Sequence, residues 1–244
     1  IYAEVDGMSS LESITQFRRP NIVKTSALRI PNYYTKAIDT EFREYSFNEE
    51  RAPLNKGKWR SQVFATNEEA IIDLEIGTGN GVHFQHHCLT YPQRNLIGIE
   101  LKYKPLIQTI RGTLRKGAKN GRICRYHAFN IDELFSANEI NDIYIHFPDP
   151  WTTPRKPNNR IVNTRMLDLF WEFQRPGSKI DFKTDSREMF LWSLERIKNS
   201  KYKIEFETLN LHQSEMVKEN IMTQFEKIFL KQNIEINFVR LRKV

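Results

Sequence analysis

Strand-like and helix-like segments alternate from residue 70 to residue 209, and this alternation limits the fold more than any other feature of the sequence. Short apolar runs that end in turn residues predict buried strands, and the longer segments between them predict helices. Strands that alternate with helices form βαβ units, whose right-handed crossovers give a parallel sheet with helices on both faces. The sequence therefore predicts an α/β fold with a doubly wound, mostly parallel sheet.

The predicted elements follow one another without a repeat or a long low-complexity stretch. The strands are expected at residues 71–76, 95–100, 123–128, 142–147, 180–184 and 203–209. The helices are expected at residues 82–91, 105–119, 164–174 and 187–198. We predict that residues 55–244 form a single domain, preceded over residues 1–54 by a basic N-terminal extension and an aromatic-rich arm.

The charge balance favours an acidic partner. The 244-residue chain has 37 Lys and Arg residues against 30 Asp and Glu residues, which gives a formal net charge of +7. A basic excess is typical of proteins that bind nucleic acid, although it also occurs on ordinary solvated surfaces.

The cysteines, histidines and apolar segments do not indicate a metal, redox or membrane function. Cys88 and Cys124 are far apart and form no Cys-x-x-Cys pair, so neither a zinc site nor a redox dithiol is expected. His86 and His87 are adjacent in a predicted helix, where their side chains diverge, and no metal is predicted. No apolar run approaches the ~20 residues needed to cross a bilayer. A reduced, cytoplasmic protein is therefore expected.

A glycine-rich loop follows the first predicted strand. Glu75 is followed by Gly77, Gly79 and Gly81 in a Glu-x-Gly-x-Gly-x-Gly pattern. Glycine lets the backbone approach a ligand closely, and the N-terminus of the next helix adds free N–H groups. The spacing differs from the Gly-x-Gly-x-x-Gly of dinucleotide-binding proteins, and the acidic Glu75 suits a ligand with an ammonium group, such as S-adenosylmethionine. A glycine-rich turn without a ligand is the alternative interpretation.

Glu100 ends the second predicted strand, about 20 residues beyond the glycine loop, where a carboxylate can accept hydrogen bonds from both hydroxyls of a ribose. A single acidic residue at a strand end is common. Together with the loop, however, Glu100 indicates a cofactor that contains adenosine, and the loop spacing favours S-adenosylmethionine over NAD.

The sequence Phe147-Pro148-Asp149-Pro150-Trp151 directly follows the fourth predicted strand. Ligands of open α/β sheets bind beyond the carboxyl ends of the strands, so Asp149 is expected to face the cofactor pocket. The two prolines restrict the backbone and fix the direction of the carboxylate, and the aromatic neighbours are suited to stack on a base. A rigid surface turn is the alternative interpretation.

A basic stretch follows this element. It contains Arg155, Lys156, Asn158, Asn159 and Arg160. Basic residues beside a base pocket are suited to contact phosphates, although a charged run by itself is more often solvated surface.

Six motifs occur in the order that is typical of one protein family. They are Lys56-Gly57-Lys58-Trp59, the glycine loop at 75–81, Gly98-Ile99-Glu100, the segment 147–151, Lys183-Thr184-Asp185 and the segment 220–226. Together they resemble the bacterial tRNA (guanine-N7)-methyltransferases. The Pro-Asp-Pro-Trp and Thr-x-Phe-Glu elements make the resemblance specific. It implies a class I S-adenosylmethionine-dependent methyltransferase with a Rossmann-like sheet of seven strands.

The resemblance also implies roles for individual residues. Asp149 is implied to be the catalytic residue. The residues implied to bind the cofactor are Glu75, Gly77, Gly79, Glu100, Leu101, His127, Ala128 and Asp149. The residues implied to bind the tRNA are Thr153, Arg155, Lys156, Arg160, Asp185, Thr223, Gln224, Phe225 and Glu226.

The chain departs from the family pattern at His127, at Thr153 and in the basic run after Pro-Asp-Pro-Trp, which is thinned to Arg155, Lys156 and Arg160. His127 stands where the family usually has an aspartate before Ala128, so a carboxylate contact to the adenine amino group is lost while a backbone contact is kept. Thr153 replaces a basic residue, and Arg155 is the nearest substitute.

The implied reaction is methyl transfer from S-adenosylmethionine to N7 of guanine 46 in the variable loop of tRNA, by a monomer or a homodimer. Three alternatives stay open. The first is another RNA-directed S-adenosylmethionine methyltransferase; a methyltransferase that acts on an adenine or cytosine amino group is disfavoured because Asp149 separates the two prolines. A nicotinamide oxidoreductase is disfavoured by the glycine spacing. A non-catalytic RNA-binding module is disfavoured by the intact cofactor loop.

Overall fold

The computed structural model describes residues 19–152 and 159–244. Six α-helices are numbered in chain order: α1 Tyr33–Ala37, α2 Val82–Thr90, α3 Tyr103–Arg115, α4 Thr164–Phe173, α5 Arg187–Lys198 and α6 Gln224–Lys231. The strands are β1 Ser46–Phe47, β2 Ile72–Ile76, β3 Asn95–Ile99, β4 Gly121–Cys124, β5 Ile143–His146, β6 Lys179–Thr184, β7 Lys203–Thr208 and β8 Asn237–Arg242. Short 3₁₀ turns and one π-helical turn, Trp59–Val63, connect them.

The eight strands form one sheet in the order β1-β4-β3-β2-β5-β6-β8-β7. All neighbours are parallel except β8, which runs antiparallel to both β6 and β7. From β2 the chain passes first to β3 on one side and later to β5 on the other. The gap between these crossovers is the switch point at which open α/β sheets bind their ligands.

Two hydrophobic cores lie on opposite faces of the sheet, because successive strand residues point to opposite faces. Ile97 belongs to the larger core, which contains the buried faces of α4 and α5. Its neighbour Leu96 belongs to the second core, with α2 and α3. The arm joins this second core through Ile38 and Phe42, while Phe47 enters the larger core and contacts the buried Trp59 at 5.3 Å between ring centroids.

Side-chain caps determine where the last three helices begin. Asn163 accepts a hydrogen bond from the backbone N–H of Met166, and Ser186 accepts one from Met189. Thr223 and Glu226 form a reciprocal capping box at the start of α6. Such caps satisfy N–H groups that a helix leaves unpaired in its first turn.

The predicted doubly wound, mostly parallel α/β sheet is confirmed, and each predicted strand and helix is present with small differences at its ends. The largest differences are in β4, which ends at Cys124 instead of residue 128, and in α3, which ends at Arg115 instead of residue 119. The sheet has eight strands instead of seven because β1 pairs with the edge of β4. Neither β8 nor α6 was among the predicted elements. No helix in the two described ranges is long and apolar enough to cross a membrane.

Candidate active site

Several of the predicted site residues lie at the carboxyl edge of the sheet. The glycine loop follows β2, Glu100 follows β3, Asp149 follows β5 and Asp185 follows β6. Because β3, β2, β5 and β6 are parallel neighbours, the loops after them gather at one edge. The topology therefore brings together residues that are more than 100 positions apart in the sequence.

The glycine loop is held open at two positions. Gly77 and Gly79 have φ angles of +78° and +52°, in the left-handed region that favours glycine. A Cβ atom built on either would meet no atom within 4 Å, so both glycines border open space. The Gly77 N–H donates to the Ile99 carbonyl at 2.8 Å, which ties the loop to the end of β3. At Gly77 and Gly79 the loop therefore exposes backbone groups, which no side chain covers, at the switch point.

The Glu100 carboxylate is fixed by backbone donors. It accepts hydrogen bonds from the N–H of Gly79 at 3.1 Å and from the N–H of Lys102 at 2.9 Å. Burial raises its pKa, while these backbone donors lower it and leave the net shift upward. The carboxylate therefore has a set direction at the rim of the glycine loop, beside the exposed Leu101.

Glu75 lies beneath the loop rather than on its surface. Its side chain is buried, with a residue exposure of 2%, and Oε2 lies 3.0 Å from Nδ1 of His83 on α2. Burial raises the pKa of Glu75 to about 8. In this structure the partner of the carboxylate is an imidazole of the protein.

His127 and Ala128 follow β4 and are half-buried. The His127 ring accepts a hydrogen bond through Nδ1 from the N–H of Phe129 at 3.3 Å, and burial lowers its pKa. A neutral imidazole and backbone groups therefore stand where the family usually has a carboxylate.

The Pro-Asp-Pro turn is strained at both ends. Phe147 and Trp151 have φ angles of +51° and +43°, which non-glycine residues rarely adopt. The Phe147 N–H donates to the Lys183 carbonyl at 2.8 Å, and its ring packs on Phe229 of α6 at 5.5 Å. Between these anchors Asp149 is exposed. Strain held by surrounding structure is common at functional sites.

Arg160 lies under this turn, not on the surface. It is 4% exposed, and its guanidinium donates to the carbonyls of Pro150 at 2.9 Å and Trp151 at 3.4 Å. It also pairs with Glu188 on α5. The charged head of Arg160 already holds the turn, so this placement supports a bracing role, and the phosphate contact predicted for Arg160 stays a prediction.

Glu226 is also placed differently from its predicted role. It is 0% exposed, and its carboxylate lies 2.6 Å from Lys183 Nζ and 2.8 Å from His212 Nε2. With these partners, the Glu226 carboxylate holds Lys183 and His212 in place and does not face a substrate. Its neighbour Phe225 is 53% exposed and does face outward. Gln224 is exposed, and Thr223 is buried as the helix cap.

Asp185 is half-buried just beyond β6. Burial raises the pKa of its carboxyl, with a smaller opposing effect of a backbone hydrogen bond. Thr153, Arg155 and Lys156 lie outside the described residues, so the prediction that they contact tRNA stays a prediction.

Lys183 belongs to one of the six motifs, but no role at the site was predicted for it. It is 1% exposed and pairs with Glu226 behind the Pro-Asp-Pro turn. Lysine is rarely buried without a partner. A lysine that lies within a predicted buried strand, beside apolar residues such as Phe182, is therefore the signal that could have identified Lys183 as a buried, paired residue.

The comparisons with known proteins agree with this geometry. Residues 69–239 match a family described as putative methyltransferase. The chain is 55% identical over 208 residues to the tRNA (guanine-N(7)-)-methyltransferase of Bdellovibrio bacteriovorus, covering 85% of this chain and 100% of the relative.

Two solved structures share the fold at low identity. The 16S rRNA methyltransferase KamB has a TM-score of 0.55 at 13% identity, covering 71% of this chain and 88% of that one. A SAM dependent methyltransferase from Aquifex aeolicus has a TM-score of 0.51 at 11% identity, covering 86% and 97%. The sheet with its glycine loop, the residues gathered at its carboxyl edge and the 55% identity over the full relative lead to one conclusion: the chain belongs to the tRNA (guanine-N(7)-)-methyltransferase family.

Proposed function

We propose that this protein transfers a methyl group from S-adenosylmethionine to N7 of a guanine in tRNA, guanine 46 of the variable loop. The observation that carries the proposal is the convergence of the open glycine loop, the fixed Glu100 carboxylate and the exposed Asp149 at one switch point. The relative from Bdellovibrio bacteriovorus carries the same activity in its name.

The residues present fit the cofactor. Gly77 and Gly79 leave space that any Cβ would enter, and their loop offers backbone to the methionine part. Glu100 is an oriented acceptor for ribose hydroxyls. His127 and Ala128 stand beyond β4, where an adenine would contact backbone groups instead of the usual carboxylate. When bound, S-adenosylmethionine supplies an electrophilic methyl group.

The proposed methyl transfer does not require the protein to transfer a proton. Guanine N7 has a lone pair and no proton, so the reaction needs no general base. Holding N7 in line with the methyl group is worth up to about 7–11 kcal/mol. The purine gains positive charge as the methyl arrives, and a fixed carboxylate stabilises that charge. Asp149, on its strained and braced turn, is suited to this role.

The rim of the site suits a purine. Phe225 and Trp151 are exposed aromatic side chains near the Pro-Asp-Pro turn, and such rings stack on unpaired bases. The carboxylate of Asp185 is an acceptor for the N1–H and amino donors of guanine, which adenine does not offer in that arrangement. These contacts would select guanine over adenine.

The test is direct. Unmodified tRNA is incubated with the protein and methyl-labelled S-adenosylmethionine, and the RNA is then digested to nucleosides. We expect label in 7-methylguanosine only, and its loss when guanine 46 is replaced by adenine. Label in another nucleoside, or cofactor binding without methyl transfer, would contradict the proposal.

A further inference from the structure

One face of the sheet is polar from β2 to β6. The strand register pairs Glu75 with Tyr144 and His146 with Lys183, so these side chains share a face. His83, in the first turn of α2, packs onto it. Its ring lies 4.4 Å from the ring of His146 between centroids, and its Nδ1 lies 3.0 Å from Glu75.

Three potential metal ligands meet on this face. Glu75, His83 and His146 each offer one ligand atom, and these atoms lie within 4.8 Å of one another, in the one such group found among residues 19–152 and 159–244. Ligands ~2.0–2.2 Å from a tetrahedral ion lie about 3.3–3.6 Å apart. Small side-chain movements would therefore bring the three atoms to ligand positions.

His146 has a hydrogen-bonding atom that is not satisfied within the described structure. Its Nδ1 is buried and has no partner there. Buried polar atoms without partners are uncommon and call for an explanation such as a bound ion. His83 and Glu75 are buried beside it, so the cluster is a built feature of the interior and not a chance group of surface side chains.

A cavity of about 530 Å³ adjoins the cluster and supplies a path for an ion. It lies between α2, which contributes His87, and the segment before α6, which contributes Leu211 and Asn220. His83 and His146 form part of its wall. A site with three protein ligands and a fourth position toward a cavity is a usual arrangement for bound zinc.

The nearby positive charge of Lys183 is already compensated. Its Nζ lies 2.6 Å from Glu226 and donates to Asn220 Oδ1 and to the Ile221 carbonyl, each at 2.8 Å. Two imidazoles and one carboxylate select zinc and its neighbours in the first transition series over magnesium or calcium, which prefer oxygen ligands.

We propose that Glu75, His83 and His146 bind a divalent transition-metal ion, zinc in the first instance. The ion would join the ends of β2 and β5 to the start of α2, directly beneath the glycine loop and the Pro-Asp-Pro turn. The site shares Glu75 with the predicted cofactor contacts, but the inference does not rest on methyl transfer, because ion binding is measured without tRNA or cofactor.

The experiment uses the full chain without a histidine tag, freed of metal with EDTA. Co²⁺ is titrated and followed by its visible absorption, and Zn²⁺ is then added to displace it. We expect one ion per chain. His83→Gln and His146→Asn should each weaken binding by more than ~100-fold, since even loss of a residue behind a ligand costs about 10–100-fold. His86→Gln, an exposed position on the same helix, is the matched control and should bind normally.

Thermal unfolding gives a second readout. Zn²⁺ should raise the midpoint of the unmutated chain and of His86→Gln, and should leave both ligand variants unchanged. Circular dichroism without metal shows whether each variant folds. If a variant does not fold, the number of ions bound per unmutated chain decides whether the metal site exists. Less than stoichiometric binding, or unchanged affinity in the folded variants, would overturn the proposal and leave the three side chains as a hydrogen-bonded interior group.

Discussion

Among single residues, Lys183 is the one whose removal should most disturb the protein. It brings a charge into the interior and pairs there with Glu226. Lys183→Met leaves that carboxylate buried without its cation, so we expect a loss of about 3–5 kcal/mol in the free energy of unfolding, measured with urea. Lys183→Met combined with Glu226→Gln should recover part of the loss. If Lys183→Met alone were as stable as the parent, water would have replaced the lysine as the partner of Glu226.

Glu100 is expected to act mainly on cofactor affinity. Glu100→Ala removes an acceptor that two backbone N–H groups hold in place, and each hydrogen bond lost to a charged acceptor costs about 1.5–3 kcal/mol. Calorimetry should show weaker binding of S-adenosylmethionine, while the unfolding midpoint reports separately the loss of the two hydrogen bonds from Gly79 and Lys102. Glu69→Ala, at an exposed position before β2, is the control. Unchanged affinity in Glu100→Ala would remove Glu100 from the cofactor site.

Asp149 is expected to act on the rate alone. Asp149→Asn keeps the shape of the side chain and removes its charge, and the loss of one preorganised electrostatic contact commonly lowers a rate about 10²–10³-fold. Single-turnover methylation at saturating cofactor and tRNA measures this. Asp168→Asn, on the exposed side of α4, should react at the parent rate. A rate within a few-fold of the parent for Asp149→Asn would make Asp149 structural.

At the scale of elements, Arg160 links the Pro-Asp-Pro turn to α5. Arg160→Gln removes its contacts to the Pro150 carbonyl and to Glu188. A turn displaced by about 1 Å can slow a reaction by ~10²-fold, so we expect a lower single-turnover rate with cofactor affinity retained. Salt titration of tRNA binding separates two possible roles of Arg160. If Arg160 only holds the turn, the slope of log affinity against log salt concentration stays unchanged. If it contacts a phosphate, that slope becomes smaller by about 0.7–0.9.

The sequence predicts elements that carry a strong local signal. The apolar runs of β2, β3 and β5 and the segments of α4 and α5 were predicted nearly to their ends. The two-residue β1 is too short to give a periodic pattern. The eight-residue α6 is stabilised by its capping box and by packing, which a short helix needs because its intrinsic stability is marginal.

The candidate site was predictable where it follows a strand and less so where it depends on packing. The places of Gly77, Glu100 and Asp149 follow from the rule that ligands bind at the carboxyl ends of parallel strands. The burial of Arg160 and Glu226 depends on partners in other elements, and a motif does not reveal them. The group of Glu75, His83 and His146 depends on the register of β2 against β5, which periodicity does not specify.

At the scale of the whole molecule, β8 follows β7 in the sequence, yet it lies inside the sheet between β6 and β7. Removal of residues 237–244 would leave β6 without one neighbour and β7 without its pairing partner. We expect the truncated chain to be digested by trypsin much faster than the parent and to show no cooperative unfolding transition. The full chain with a C-terminal Gly-Ser extension controls for a changed terminus. Cooperative unfolding of the truncated chain would contradict the expectation that the fold depends on β8.

The position of β8 also has a consequence for synthesis on the ribosome. Domains generally fold as units while the chain emerges from its N-terminus, but here β6 and β7 cannot pair with β8 until residues 237–242 have left the ribosome. Until then the nascent chain exposes the edge of β6, and exposed strand edges are sites of aggregation. Every premature termination before residue 237 therefore yields a product in which the edge of β6 is exposed and β7 has lost its pairing partner.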